Sequence, residues 1–161
     1  MIEILDHFPT ALLDVSPSEI HTVLKGPTLI HLKGKMDPPL FVTTLLHGNE
    51  LTGFYALQSL MTDYVDRELP RSLSIFIGNI HAAQEDVRHL DDQIDYNRIW
   101  AGGIGKEFEL ATLVINTMKE KGVFFSIDIH NNTGLNPYYA CAHSLDNDHV
   151  TICKLFSDQM V

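Results

Sequence analysis

The order of apolar runs predicts an α/β fold, with a mainly parallel or mixed sheet flanked by helices. Three observations carry this. Residues 40–46 (LFVTTLL) form a continuous apolar, β-branched run, the pattern of a strand buried on both faces. Residues 51–65 then place Leu51, Phe54, Tyr55, Leu57, Leu60, Met61, Tyr64 and Val65 at helical spacing. Strand signals return at 72–77 and 123–129, with an amphipathic helix over 106–121 between them. Strand, helix, strand, helix, strand is the signature of a layered α/β sheet, which takes ligands at the carboxyl ends of its strands.

Element by element, the leading runs 19–24 and 28–33 flank Lys25-Gly26-Pro27 and predict a β-hairpin. The strand over 40–46 stops at His47-Gly48-Asn49, where Gly48 permits a sharp turn. Gly122 closes the helix over 106–121 as its C-cap. A last helix is expected over 149–160, with Ile152, Leu155, Phe156 and Met160 on one face. By length the 161 residues make one domain, read as a leading hairpin region over 1–35 and an α/β core over 36–161. The last helix reaches Val161 without a cap or breaker, so the chain reads as the N-terminal part of a larger, truncated domain. An unpaired sheet edge there would favour homo-oligomers.

Composition narrows the function. A net charge of −10 argues against nucleic acid and anionic membrane surfaces as partners. It also requires that a site for an anionic substrate be locally positive. No basic region precedes an apolar run at the N-terminus, and no apolar stretch reaches the roughly 18 residues of a membrane span, so a cytoplasmic location is expected. Cys141 and Cys153 lack the spacing of a disulfide framework or zinc knuckle and read as buried thiols. Asn131-Asn132-Thr133 matches a glycosylation acceptor, which means little without a secretory signal. Gly102-Gly103-Ile104-Gly105-Lys106 is a poor phosphate loop, with Trp100 where the first glycine belongs and Glu107 after the lysine.

Three segments carry chemistry. In His47-Gly48-Asn49-Glu50 an imidazole and a carboxylate stand three residues apart at a strand-to-helix junction, so both can face one ion. In Asp128-Ile129-His130, strand alternation puts Asp128 and His130 on one face. His47, Glu50 and His130 together offer two nitrogens and a carboxylate, a catalytic zinc set with one position open. Alone, a His-x-x-Glu is common by chance; two such junctions in one α/β layer are not. The third segment, Asp95-Tyr96-Asn97-Arg98 with Arg88 upstream, offers an amide and a planar guanidinium suited to a substrate carboxylate. His7, His21, His31, His89 and His149 fall in strands or surface segments and are given no role, and nothing assigns a role to His81 or His143.

The runs LLHGNELTG, GNIHAAQEDVRHL, DYNRIW and DIHNNTGLNPYYAC closely resemble the succinylglutamate desuccinylase/aspartoacylase family, which is related to the zinc carboxypeptidases. The resemblance spans about residues 40–142, in the same order. It implies one zinc ion held by His47, Glu50 and His130. It further implies that Arg88 polarises the scissile carbonyl, that Asn97 and Arg98 hold a substrate carboxylate, and that Asp95 orients a ligand histidine, with Asp128 as a similar support. The implied substrate is a small N-acyl amino acid, hydrolysed to a carboxylate and a free amino acid. The alternatives are a carboxypeptidase-like peptidase and a metal-binding domain that is catalytically incomplete. The chain departs from the family pattern at Ile80-His81, where a proline is usual, and in the seven positions between Arg88 and Asp95, against about five expected. The family's general-base glutamate lies on a later strand and is expected beyond residue 161.

Overall fold

The computed structural model describes residues 2–132 and 134–161; Thr133, part of the HNNTG run and of the glycosylation triplet, lies outside them. The fold is α/β, as the periodicities predict. Five strands, β1 (Glu3–Leu5), β2 (Thr28–Leu32), β3 (Leu40–Thr44), β4 (Leu73–Ile77) and β5 (Phe125–Asp128), form one sheet in the order β1-β2-β4-β3-β5. β3 runs parallel to both β4 and β5, while β2 is antiparallel to β4 and parallel to β1. The sheet is therefore mixed, and the carboxyl ends of β3, β4 and β5 share one edge.

β4 occupies the centre and is buried at every position, so its sequence LSIFI does not alternate. Ile75 and Ile77 face one side, where they meet Leu45, Phe54, Leu57, Met61 and Ile80. Phe76 faces the other, with Phe41, Ala111, Val114 and Met118. The helix α1 (Thr52–Asp63) thus covers the first face and α3 (Lys106–Glu120) the second. Each fully buried Leu, Ile or Phe contributes roughly 1.5–3 kcal/mol. A short helix, α2 (Ile80–Gln84), follows β4 directly and was not legible in the apolar spacing. Gly122 adopts φ 61 after α3, the left-handed cap its position predicts.

The leading hairpin is not formed. Residues Pro17–Thr22 make a 3-10 helix, and β2 takes its partners from β1 and β4 instead. The reason is local. Pro17 sits in the first turn behind Ser16, whose hydroxyl bonds Glu19 at 2.6 Å, and Ile20 and Leu24, four apart, are both buried. That is a helical period, not the alternation a hairpin needs. β1 has only three residues and left no pattern to read.

Residues 132–161 form a second compact unit. Its helix α4 (Asn147–Phe156) is capped by Asp146, whose carboxylate accepts from the Asp148 and His149 N–H groups. The chain then returns to bridge Ala140 with Met160. Cys153 is buried as expected; Cys141 is exposed, and both are free thiols. Among the described residues no helix is long and apolar enough to cross a membrane.

Candidate metal centre

β3 ends at Thr44, and Leu45 takes a left-handed φ of 53 to start the turn. Leu45, rather than Gly48, carries the positive φ of this turn. Gly48 is required for another reason: a Cβ there would meet the Ala82 carbonyl carbon at 2.1 Å. Its N–H donates to the Arg88 carbonyl at 3.1 Å, tying the turn to the segment that carries Arg88. The Glu50 N–H then donates to the His47 carbonyl at 3.2 Å, and this tight loop puts both side chains on one side ahead of α1. β5 supplies the remaining pieces. Its last residue is Asp128, and the Ile129 N–H still bonds the Thr43 carbonyl at 3.1 Å, so His130 leaves the sheet edge next to the β3 loop.

The three residues converge. One donor atom from each of His47, Glu50 and His130 lies within 4.8 Å of the others. His47 Nδ1 is 2.7 Å from Glu50 Oε1, and His130 Nδ1 is 2.7 Å from Glu50 Oε2. The other nitrogen of each ring is held from behind. His47 Nε2 lies 2.9 Å from Asp95 Oδ1, and His130 Nε2 lies 2.8 Å from Asp128 Oδ2. Asp128 is in turn fixed by a hydrogen bond from the Thr43 hydroxyl, and Asp95 by the Asn97 N–H at 2.7 Å. A carboxylate on Nε2 sets the proton there and leaves the Nδ1 lone pair for a cation.

Arg88 is half-exposed beside this group. Its Nη1 donates to Glu50 Oε1 at 3.4 Å, and its Nε and Nη2 donate to Asp95 Oδ2 at 3.3 and 3.2 Å. The seven-residue gap to Asp95 therefore does not keep Arg88 from the centre. With both histidines neutral, three carboxylates and one guanidinium leave a formal charge of −2, and the carboxylate at its centre, Glu50, is only 6% exposed. Such a deficit calls for a divalent cation or for protons. The Asp128 hydrogen bond, opposed by burial and aided by the Asp128 and Glu50 charges, pushes His130 above the ordinary histidine range. Burial acts to raise Asp95, but the Asn97 N–H, His47 and Arg88 together outweigh it and hold the carboxyl at about 2. Two nitrogens and a carboxylate, backed in this way, fit a divalent metal ion.

Asn97 and Arg98 lie in the 3-10 turn Tyr96–Arg98, directly after Asp95. Arg98 is exposed, and its Nη1 donates to the Asn97 carbonyl at 3.1 Å. Three residues that the motifs did not single out position the centre. Asn131 donates its N–H to Glu50 Oε2 at 3.0 Å, and its side chain accepts the Thr52 N–H at the start of α1. Asn79 caps α2 and donates to Gln93 Oε1 at 2.7 Å, which also accepts the Leu90 N–H, so the two side chains pin the loop between Arg88 and Asp95. The asparagine after His130 and the one ahead of a short helical run were the available signals.

Residues 37–159 match the family model for the succinylglutamate desuccinylase/aspartoacylase catalytic domain. No curated protein and no solved structure matched the chain. The matched stretch takes in β3, β4 and β5 with both loops that converge at their carboxyl ends. On that match, the chain belongs to the succinylglutamate desuccinylase/aspartoacylase family of hydrolases.

Proposed function

We propose that the chain holds the metal of a zinc-dependent amidohydrolase acting on small N-acyl amino acids. The observation that carries this is the pairing of both histidine Nδ1 atoms with the two oxygens of Glu50, each ring backed by its own aspartate. His47, Glu50 and His130 would hold the ion. Zinc, when bound, supplies Lewis acidity and lowers the pKa of water. The chain's own groups do the rest. Asp95 and Asp128 keep the Nε2 protons and the ring orientations. Arg88, already beside Glu50 and Asp95, is placed to offset negative charge developing on a carbonyl oxygen. A divalent ion would bring the −2 centre near neutrality, so the positive charge for a substrate carboxylate comes from Arg98, with Asn97 beside it.

Glu50, Asp95 and Asp128 all hold histidines, so proton transfer to a leaving nitrogen falls to a further group. The decisive readout is therefore zinc-dependent binding of N-succinyl and N-acetyl amino acids to the full chain, followed by calorimetry alongside turnover. The reading expects saturable binding that needs zinc and is weakened by about tenfold or more in Arg98→Ala. Tighter binding of C-terminal peptides would favour the carboxypeptidase-like alternative, and zinc-independent binding would overturn the proposal.

A further inference from the structure

The opposite end of the sheet holds a second cluster that the metal centre does not use. β2 is antiparallel to β4, so its carboxyl end meets the amino ends of the parallel strands: Leu32 and Leu40 both pair with Leu73. Here lies a cavity of about 220 Å³ lined by Lys33, Lys121, His31, Ser72, Ser74 and Asp37, among others. Lys33 and Lys121 have no ion-pair partner among the described residues. In a chain of net charge −10, two uncompensated lysines on one small cavity are a local reversal of sign.

The hydrogen bonds point the same way. His31 Nδ1 lies 2.9 Å from Ser74 Oγ, and Ser74 is 1% exposed. If the hydroxyl donates to Nδ1, its proton is satisfied and the ring proton sits on Nε2. The reverse would leave both the hydroxyl proton and the Nε2 lone pair unmatched. Nε2 is thus a buried N–H, and it has no acceptor among the described residues. Ser72 Oγ accepts the Gly34 N–H at 3.0 Å and keeps its own proton to give. Two ammonium groups and a hydroxyl therefore line the cavity, with the unsatisfied imidazole N–H buried beside it, against the single carboxylate of Asp37.

We propose that this cavity is a binding site for a small dianionic oxyanion, with phosphate as its simplest ligand. Lys33 and Lys121 supply the charge, and Ser72 and His31 supply neutral donors. Burial, reinforced by the Lys121 charge, holds His31 down at about 4, so it serves as a neutral donor near pH 7. Asp37 and the carboxyl end of α3 oppose an anion, so the affinity belongs in the millimolar range.

The test is an NMR titration of the full chain with inorganic phosphate, in chelator and at constant ionic strength, with chloride as the control for screening. Saturable shifts are expected at Gly34, Ser72, Ser74 and the His31 ring. Lys33→Met and Lys121→Met, both at exposed positions and checked for folding by circular dichroism, should each weaken binding by about tenfold. Shifts that chloride reproduces, shifts centred on His47 and His130, or wild-type affinity in the double variant would each overturn the site.

Discussion

The two ends of this sheet treat histidine in opposite ways. At the carboxyl ends of β3 and β5, His47 and His130 lie between carboxylates, and His130 is pushed above the ordinary range. At the far end, His31 lies against Ser74, with burial and the Lys121 charge driving it to about 4. The residue type is the same, and the neighbours decide what it can do. A ring between carboxylates gathers positive charge, whether as protons or as a metal ion. A ring among lysines stays neutral and offers an N–H.

The comparison breaks most decisively at Glu50. Glu50→Gln removes the carboxylate that both Nδ1 atoms face, and zinc affinity measured by chelator competition should fall by more than about 100-fold, beyond what outer partners contribute. Loss below tenfold would mean that the ion sits elsewhere. Asp95→Asn and Asp128→Asn keep an oxygen acceptor for the Nε2 proton but remove its charge. Each should weaken zinc by about 10–100-fold while leaving stoichiometry at one ion. An unchanged affinity in both variants would show that the aspartates orient nothing the metal feels. Next in size is Arg98→Ala, which removes a charge-assisted contact and should raise KM for acyl amino acids by about tenfold or more in an active form of the enzyme. An unchanged KM would remove Arg98 from substrate binding.

The smallest expected effect sharpens the far end. His31 has a folded pKa of about 4, below its ordinary value near 6.5. Between those values the unfolded chain binds more protons, so His31 lowers stability as pH falls through 6.5 and its full penalty is reached below about 4. His130 has the opposite sign in the metal-free protein. Its folded pKa is raised, so its contribution is complete below about 6.5 and is lost as pH rises through the folded value. Denaturant unfolding in chelator across pH 4–7 should show the His31 slope in the wild type and its loss in His31→Gln. A wild-type slope that survives the substitution would assign that pH dependence to other groups.

Much of the α/β layer was legible because local pattern and tertiary role agree. The β-branched run of β3, the helical spacing of α1 and α3, and the glycine that closes α3 each say the same thing at both levels. The hairpin failed where they disagree, since Ile20 and Leu24 obey a helical period inside a segment whose glycine and proline suggest a turn. Arg88 shows the limit for the site. Its spacing from Asp95 departs from the family pattern, yet the loop between them, pinned by Asn79 and Gln93, returns it to the centre.

The sequence by itself determined which groups could hold a metal, because ligand chemistry resides in residue types and each loop places its own residues within a few positions. It could not determine the backing of each ligand. That His47 leans on Asp95 and His130 on Asp128, that both turn Nδ1 toward Glu50, and that Asn131 donates to the same carboxylate follow from strand order and loop packing. His31 was silent for the same reason. Its character comes from Ser74, 43 residues away on the neighbouring strand, and from Lys121 at the end of the helix that covers that face. Burial and long-range charge are properties of the assembled layers, and only the tertiary structure brings those residues together.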